Sequence, residues 1–218
     1  MSENQVSGSN VTAGWDEVYR TKGADAVSWF RDHLETSLGL LEQAGLNPLS
    51  RVIDIGGGAS TLVDDLLARG VRQVTVVDLS SAALAISQQR LRESQASVDW
   101  IAGDLRELPL PEAGFDLWHD RAVMHFLTEE ADAAAYVRQA AKAVTSNGFA
   151  VIAGFAPDGP MRCSGQVVAR RTQEEIASLF APAFQPVLFL HENHETPSGT
   201  SQAFLYALLK RISVDGNV

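Results

Sequence analysis

The chain has 218 residues, 45% hydrophobic and 20% charged, which is enough for one sizeable core and unlike a disordered chain. Lysine and arginine number 17 against 27 acidic residues, a formal net charge of −10. A surface that negative repels phosphate backbones and argues against nucleic acid as a partner. Cys163 is the only cysteine, which rules out an internal disulfide and a zinc site built on thiolates.

Residues 1–10 are rich in Ser and Asn, without a basic start or an apolar core, so they read as a flexible lead-in rather than a secretory signal. No apolar run approaches the ~20 residues of a membrane helix. A single cytoplasmic domain over 11–218 is the expectation.

Trp15, Val18, Tyr19, Val27, Trp29 and Phe30, spaced among charges, predict a short amphipathic helix with a turn around Lys22-Gly23. Leu34, Leu38 and Leu41 predict a second helix from Arg31 to Ala44, stopped by Gly45. The compact apolar run Arg51 to Ile55 reads as a buried strand leading into glycines. Alternation follows: helix Ser60 to Arg69, strand Gln73 to Val77, then a helix capped by Ser80 or Ser81 and reaching Arg92. Strands Val98 to Ile101 and Phe115 to His119 flank a loop containing Pro109 and Pro111. An Ala-rich helix from Glu129 to Val144 stops at Asn147-Gly148, and Phe149 to Phe155 is the fifth strand. The tail differs, with one helix from Thr172 to Phe180 and then two extended runs, Phe184 to His191 and Ser201 to Leu209, joined by a turn over His194 to Thr200. Strands alternating with helices imply right-handed crossovers and an α/β fold with a mostly parallel sheet covered on both faces.

The motif with most chemical content is Val52-Ile53-Asp54-Ile55-Gly56-Gly57-Gly58-Ala59-Ser60. Glycines after a buried first strand let the chain turn sharply and let a ligand approach the backbone, and the following helix offers N–H groups to an anion. A dinucleotide fingerprint requires a third glycine where Thr61 stands, and Asp54 occupies a position that is normally apolar in such strands. An acid there suits a ligand bearing an ammonium beside a carboxylate, the methionine part of S-adenosylmethionine. Asp78 ends the second strand, about twenty residues past the glycines, where a carboxylate accepts from both ribose hydroxyls. Leu79 follows it. Asp104 follows the third strand, placed to accept from an adenine amino group while Leu105 packs on the base. Carboxyl ends of adjacent parallel strands face one crevice, and three acids there also favour a cation.

In this arrangement the chain resembles the class I S-adenosylmethionine-dependent methyltransferases over about Val11 to Lys210. Asp54 to Gly58 looks like their first motif, and Asp78 and Asp104 match their ribose and adenine positions. The resemblance implies a Rossmann-like, seven-stranded sheet in the order 3-2-1-4-5-7-6, strand seven antiparallel, with S-adenosylmethionine as cofactor and S-adenosylhomocysteine as product. Trp15 to Tyr19, Ser28-Trp29-Phe30 and Asp120 to Phe126 are similar to a subgroup that includes lysine methyltransferases of citrate synthase and elongation factors. The absence of an Asn/Asp-Pro-Pro-Tyr element argues against amino-methylating enzymes of DNA bases and glutamine.

Methyl transfer is an in-line displacement at carbon that alignment in a water-poor pocket largely accounts for, so a catalytic constellation is not required. Trp15 and Tyr19 share a helical face and either cap the cofactor or pack on the core. Past strand four, Asp120 is the first candidate for positioning the nucleophile or the ammonium, Arg121 for pairing with a substrate carboxylate, and His125 for a base. His191 and His194 point to opposite faces of a strand, so no metal site is expected. His194 remains a candidate for the acceptor pocket, and nothing near Cys163 marks an activated thiolate. The leading expectation is transfer to an acidic small metabolite, as in the similar trans-aconitate methyltransferases. Transfer to protein lysine comes second and a non-catalytic cofactor-binding module third.

Overall fold

The computed structural model describes residues 8–21, 27–92 and 97–213. Seven strands form one sheet in the order β3-β2-β1-β4-β5-β9-β8. They are β1 Arg51–Ile55, β2 Gln73–Asp78, β3 Val98–Ala102, β4 Phe115–Arg121, β5 Val144–Phe155, β8 Phe184–Glu195 and β9 Ser201–Arg211. Pairing is parallel from β3 across to β5, and β9 runs antiparallel to both β5 and β8. A short hairpin, β6 Arg162–Cys163 and β7 Gln166–Val167, shifts the numbering, so the expected strands six and seven are β8 and β9. The expected Rossmann-like order holds.

The helices divide between the two faces because strand side chains alternate. Val52 and Leu117 point toward α2 (Glu35–Gln43), α3 (Leu62–Ala68) and α4 (Ser81–Leu91), joining a core with Leu38, Leu41, Leu66 and Leu84. Ile53, Ile55 and Trp118 point the other way, toward α5 (Glu130–Ala143) and α6 (Gln173–Phe180), joining Tyr136, Ile176 and Phe180. This two-residue alternation along β1 and β4 decides which polar side chains meet at the site.

Several boundaries differ from the sequence expectation. Helix α2 starts at Glu35, because Arg31 to Leu34 turn toward the glycine loop, with Thr61 Oγ1 donating to the Arg31 carbonyl. Helix α3 starts at Leu62, since Ser60 and Thr61 complete the loop. Strand β5 begins at Val144 instead of Phe149. Asn147 takes a left-handed φ of 65° within an irregular stretch of the β4–β5 ladder, so the expected helix stop lies inside the strand. Strand β8 continues to Glu195, which places the turn at 196–200. Ser80, not Ser81, caps α4 by accepting from the Ala83 amide.

Helix α1 spans Gly8–Thr21 and so begins inside the segment read as a lead-in; the turn expected at Lys22-Gly23 lies outside the described residues. The helix is tied to the sheet domain by one carboxylate. Asp16 accepts from Ser80 Oγ at 2.6 Å and from the Ala82 amide at 3.3 Å, meeting the unpaired donors at the start of α4. The Ser80 hydroxyl holds the Asp16 carboxyl below its ordinary pKa. Asp16→Ala is expected to cost about 0.5–2 kcal/mol, the range of a lost helix cap. It should also raise amide hydrogen exchange across Gly8–Thr21 while β1 and β4 stay protected. Unchanged exchange in α1 would contradict this anchoring.

Candidate active site

Beyond the carboxyl ends of β1 to β4 lies a cleft of about 1100 Å³. Gly56 lines it after β1, Asp78 and Leu79 at the end of β2, Asp104 and Leu105 after β3, and Arg121 at the end of β4. Trp15 and Tyr19 of α1 close one side with Trp29 and Phe126. The four rings form an edge-to-face cluster, with Trp15 5.9 Å from Trp29 and 5.1 Å from Phe126, and Tyr19 6.3 Å from Trp29. Trp29 was not among the site residues expected from sequence, and its ring belongs to the cleft wall.

The glycine loop turns because Gly56 adopts φ +68°, a conformation that side chains disfavour. Added Cβ atoms would also collide, at Gly56 with Val123 at 2.0 Å and at Gly57 with Asp54 Oδ2 at 2.2 Å. Two of the loop amides are used internally, Gly56 by the Val77 carbonyl and Gly58 by Asp78 Oδ2. The Leu62 amide at the start of α3 donates to Ser60 Oγ. Those three amides are therefore already partnered within the loop and its neighbours.

The loop instead frames an acid. Asp54 is 1% exposed, and its Oδ1 lies 2.7 Å from His119 Nδ1. Its Oδ2 is buried with no hydrogen-bond partner. Asp54 lines a cavity of about 40 Å³ with Arg31, Gly57 and Ser60, and this cavity shares Tyr19, Trp29, Gly56 and Arg121 with the main cleft. Arg31 brings a cation to the same annex, its guanidinium held by His194 Nδ1 at 2.9 Å and by Glu192. Arg31 and His119 were not picked out from sequence. A histidine directly after the apolar pair Leu117-Trp118 was the available signal, and its pairing in register with Asp54 is visible only in the structure.

Asp78 accepts from the Ser80 amide at 2.8 Å and the Gly58 amide at 3.0 Å. Burial, supplemented by the nearby Asp54 and Asp16 carboxylates, outweighs these bonds and pushes its pKa up to about 6. Asp104 faces the cleft, but Arg106 engages both its oxygens, at 2.6 to 3.2 Å, and bridges on to Asp132 at 2.6 Å. The Arg106 guanidinium holds the Asp104 carboxyl below its ordinary range. A ligand there meets a carboxylate already paired.

Past β4 the structure separates the three expected residues. Asp120 is fully buried on the opposite face from Asp54, because neighbours along a strand alternate. It accepts from Tyr136 Oη at 2.7 Å and from the Val123 and Met124 amides at 2.9 and 3.0 Å, which leaves it a structural anchor for the turn after β4. His125 is buried between the Phe126 and Phe155 rings and lines a small pocket near Arg171 instead of the cleft. Burial, with help from Arg171 and Arg121, pushes its pKa down to about 3, so it is a poor base at neutral pH. Arg121 does reach the cleft. Its Nε donates to Tyr206 Oη, its Nη1 to the Trp29 carbonyl, and its guanidinium carbon sits 4.5 Å from the Phe204 ring centre. Nη2 is buried with no partner.

Cys163 also faces the cleft, as a neutral thiol that burial pushes up to about 11. His191 is exposed and His194 buried; His194 Nε2 pairs with the Ser28 carbonyl and Nδ1 with Arg31 instead of facing the cleft. Among the described residues no group of three or more His, Cys, Asp or Glu could hold a metal.

Residues 52–148 match the family model for a methyltransferase domain. Over those residues and in its strand order the chain is similar to the class I methyltransferases. Over 120 residues the chain is 25% identical to the eEF1A lysine and N-terminal methyltransferase of Danio rerio, covering 55% of this chain and 17% of that protein. It is 32% identical over 120 residues to EEF1A lysine methyltransferase 4 of Bos taurus, covering 54% of this chain and 46% of that protein. The match thus spans less than half the length of these curated relatives. Among solved structures, the Burkholderia thailandensis 1,6-didemethyltoxoflavin-N1-methyltransferase, bound to 1,6-didemethyltoxoflavin and S-adenosylhomocysteine, aligns with a TM-score of 0.75 and 24% identity, covering 98% of this chain and 94% of that one. That likeness establishes the fold.

Asp120→Asn puts an amide donor among donors that need an acceptor and is expected to destabilise the protein by about 1–3 kcal/mol. Urea denaturation should show a lower midpoint with an unchanged slope. A wild-type midpoint would return Asp120 to the list of chemical residues.

Proposed function

We propose that this protein is an S-adenosylmethionine-dependent methyltransferase acting on a small molecule that carries an anionic group. The supporting observation is the buried, unpartnered Oδ2 of Asp54, in an annex off a cleft whose other walls carry Asp78 and Asp104. A buried carboxylate oxygen without a donor asks for one, and a ligand ammonium supplies it. The residues present fit the cofactor. Asp54 and Arg31 would hold the amino and carboxylate groups of the methionine end, Asp78 the ribose hydroxyls, and Leu79, Asp104 and Leu105 the base. When bound, S-adenosylmethionine supplies a methyl group on a sulfonium centre.

The chain's own contribution is alignment and exclusion of water. The aromatic cluster of Trp15, Tyr19, Trp29 and Phe126 covers the mouth of the cleft, and cation–aromatic attraction favours a positively charged ligand beneath it. Among the described residues, Tyr19, Cys163 and Asp78 line the cleft without offering a strong proton acceptor near neutral pH. Burial keeps the Tyr19 hydroxyl and the Cys163 thiol protonated, and Asp78 is tied to two amides. The acceptor therefore arrives already nucleophilic.

Arg121 selects the acceptor class in this reading. Its contacts are a phenol, a carbonyl and a ring, so among the described residues no carboxylate contact compensates its charge, and Nη2 is left to pair with an anion. Protein lysine is the second reading, favoured by the names of the relatives from Danio rerio and Bos taurus. The activity is assigned to one domain over 11–218. A cytoplasmic setting suits the free, unpaired Cys163, and no described helix is long and apolar enough to cross a membrane.

Two measurements test this. By calorimetry S-adenosylhomocysteine should bind and NAD should not. Asp78 must be ionised to accept from two hydroxyls, so affinity should be level above about pH 6 and fall toward tenfold per unit below it. Asp78→Asn should weaken binding by about ten- to a hundredfold and flatten that profile. A profile that persists in the variant would assign the titration elsewhere. In the second measurement, label from methyl-labelled cofactor should enter an anionic metabolite in a small-molecule extract. Label confined to a protein band would favour the lysine reading.

A further inference from the structure

Resting on that cofactor reading, we propose that His119 is a positioning residue, dedicated to keeping one oxygen of Asp54 open for the ligand's ammonium. Asp54 and His119 are register partners on the adjacent parallel strands β1 and β4. Register partners on one face of a sheet meet directly, and here Oδ1 and Nδ1 are 2.7 Å apart. The second ring nitrogen, Nε2, lies 2.9 Å from Ser37 Oγ on α2. All three side chains are inside the protein: Ser37 0%, Asp54 1% and His119 1% exposed.

In the proposed arrangement Nδ1 donates to Asp54 Oδ1, since a carboxylate only accepts, and Nε2 accepts from the Ser37 hydroxyl, the Nδ1-protonated tautomer. That ring occupies Oδ1 without cancelling the carboxylate's charge, and it holds the carboxyl plane so that Oδ2 stays beside Gly57 at the annex. Of the two cations lining the annex, Arg31 is turned onto Glu192 and His194, and Arg121 is held by Tyr206 and Trp29. Neither forms an ion pair or hydrogen bond with Asp54. A rigid carboxylate with one oxygen used and one open is a receptor for a single cationic donor.

A purely structural His119 and a positioning His119 differ in one observable, the preference for a ligand that carries the amine. Affinities of S-adenosylhomocysteine and of its deaminated analogue, with hydrogen in place of the α-amino group, are measured for wild type, His119→Phe and His119→Asn. Wild type should prefer the amine-bearing ligand by about tenfold or more. In His119→Phe the preference should collapse to within about threefold while affinity for the deaminated analogue holds. In His119→Asn the side-chain amide can still donate near the Nδ1 position, so much of the preference should return. Equal weakening of both ligands in His119→Phe, or an undiminished preference, overturns the proposal. Where His119→Phe does not fold, ¹⁵N chemical shifts of His119 in the wild-type protein decide. An Nδ1-protonated tautomer whose signals respond to S-adenosylhomocysteine and not to the deaminated analogue supports the role; the opposite tautomer, or an equal response, refutes it. Failure of wild type to bind S-adenosylhomocysteine at all would instead refute the cofactor reading.

Discussion

Side chains on a β-strand alternate, and in β1 and β4 that two-residue period separates chemistry from support. Asp54 shares its side of the sheet with Val52, and in β4 the residue matching it across the ladder is His119, one position before Asp120. One face thus receives Asp54, His119 and Ser37, while the other receives Asp120, Trp118 and Tyr136. A one-residue slip in either strand would exchange these sets and bury the wrong acid. The parallel ladder of β2, β1, β4 and β5, and the two apolar cores on its faces, hold that register.

Around this fixed sheet the remaining wall is attached by few contacts. Helix α1 brings Trp15 and Tyr19 to the cleft, and the Asp16 bonds to Ser80 and Ala82 join it to the same loop that carries Asp78. The ring cluster then links α1 to Trp29 and to Phe126 beyond β4. Elements so tethered open locally at lower free energy than core strands, which suits the part of a cleft that must admit a ligand.

The sequence made the fold legible where periodicity is strong. The alternation of apolar strands and helices makes the mostly parallel α/β sheet legible, and the strand order comes from the family resemblance that the glycine run and the final hairpin carry. Boundaries were less legible because local turn chemistry acts within larger elements: Asn147-Gly148 reads as a helix stop, but the ladder with β4 absorbs it as an irregularity inside β5. At the site, Gly56, Asp78, Leu79, Asp104 and Leu105 do line the cleft, since strand ends are set by the fold class. Asp120 and His125 were chosen for their place just past strand four, which does not announce that Asp120 lies on the other face of β4 from Asp54 or that rings enclose His125. Arg31 and His119 went unseen because their meaning comes from partners far along the chain. The pairing of Asp104 with Arg106 also depends on Asp132, a contact that no local pattern announces.

The central claim is that Asp54 holds the amine and Asp78 the ribose of one amino-acid-bearing nucleoside. Its most direct test is a crystal structure of the protein with S-adenosylhomocysteine. The account predicts density running from the annex to the end of β2, with the amine on Asp54 Oδ2 and the ribose hydroxyls on Asp78. Density lying elsewhere in the cleft, with Asp54 Oδ2 still unpartnered, would contradict it.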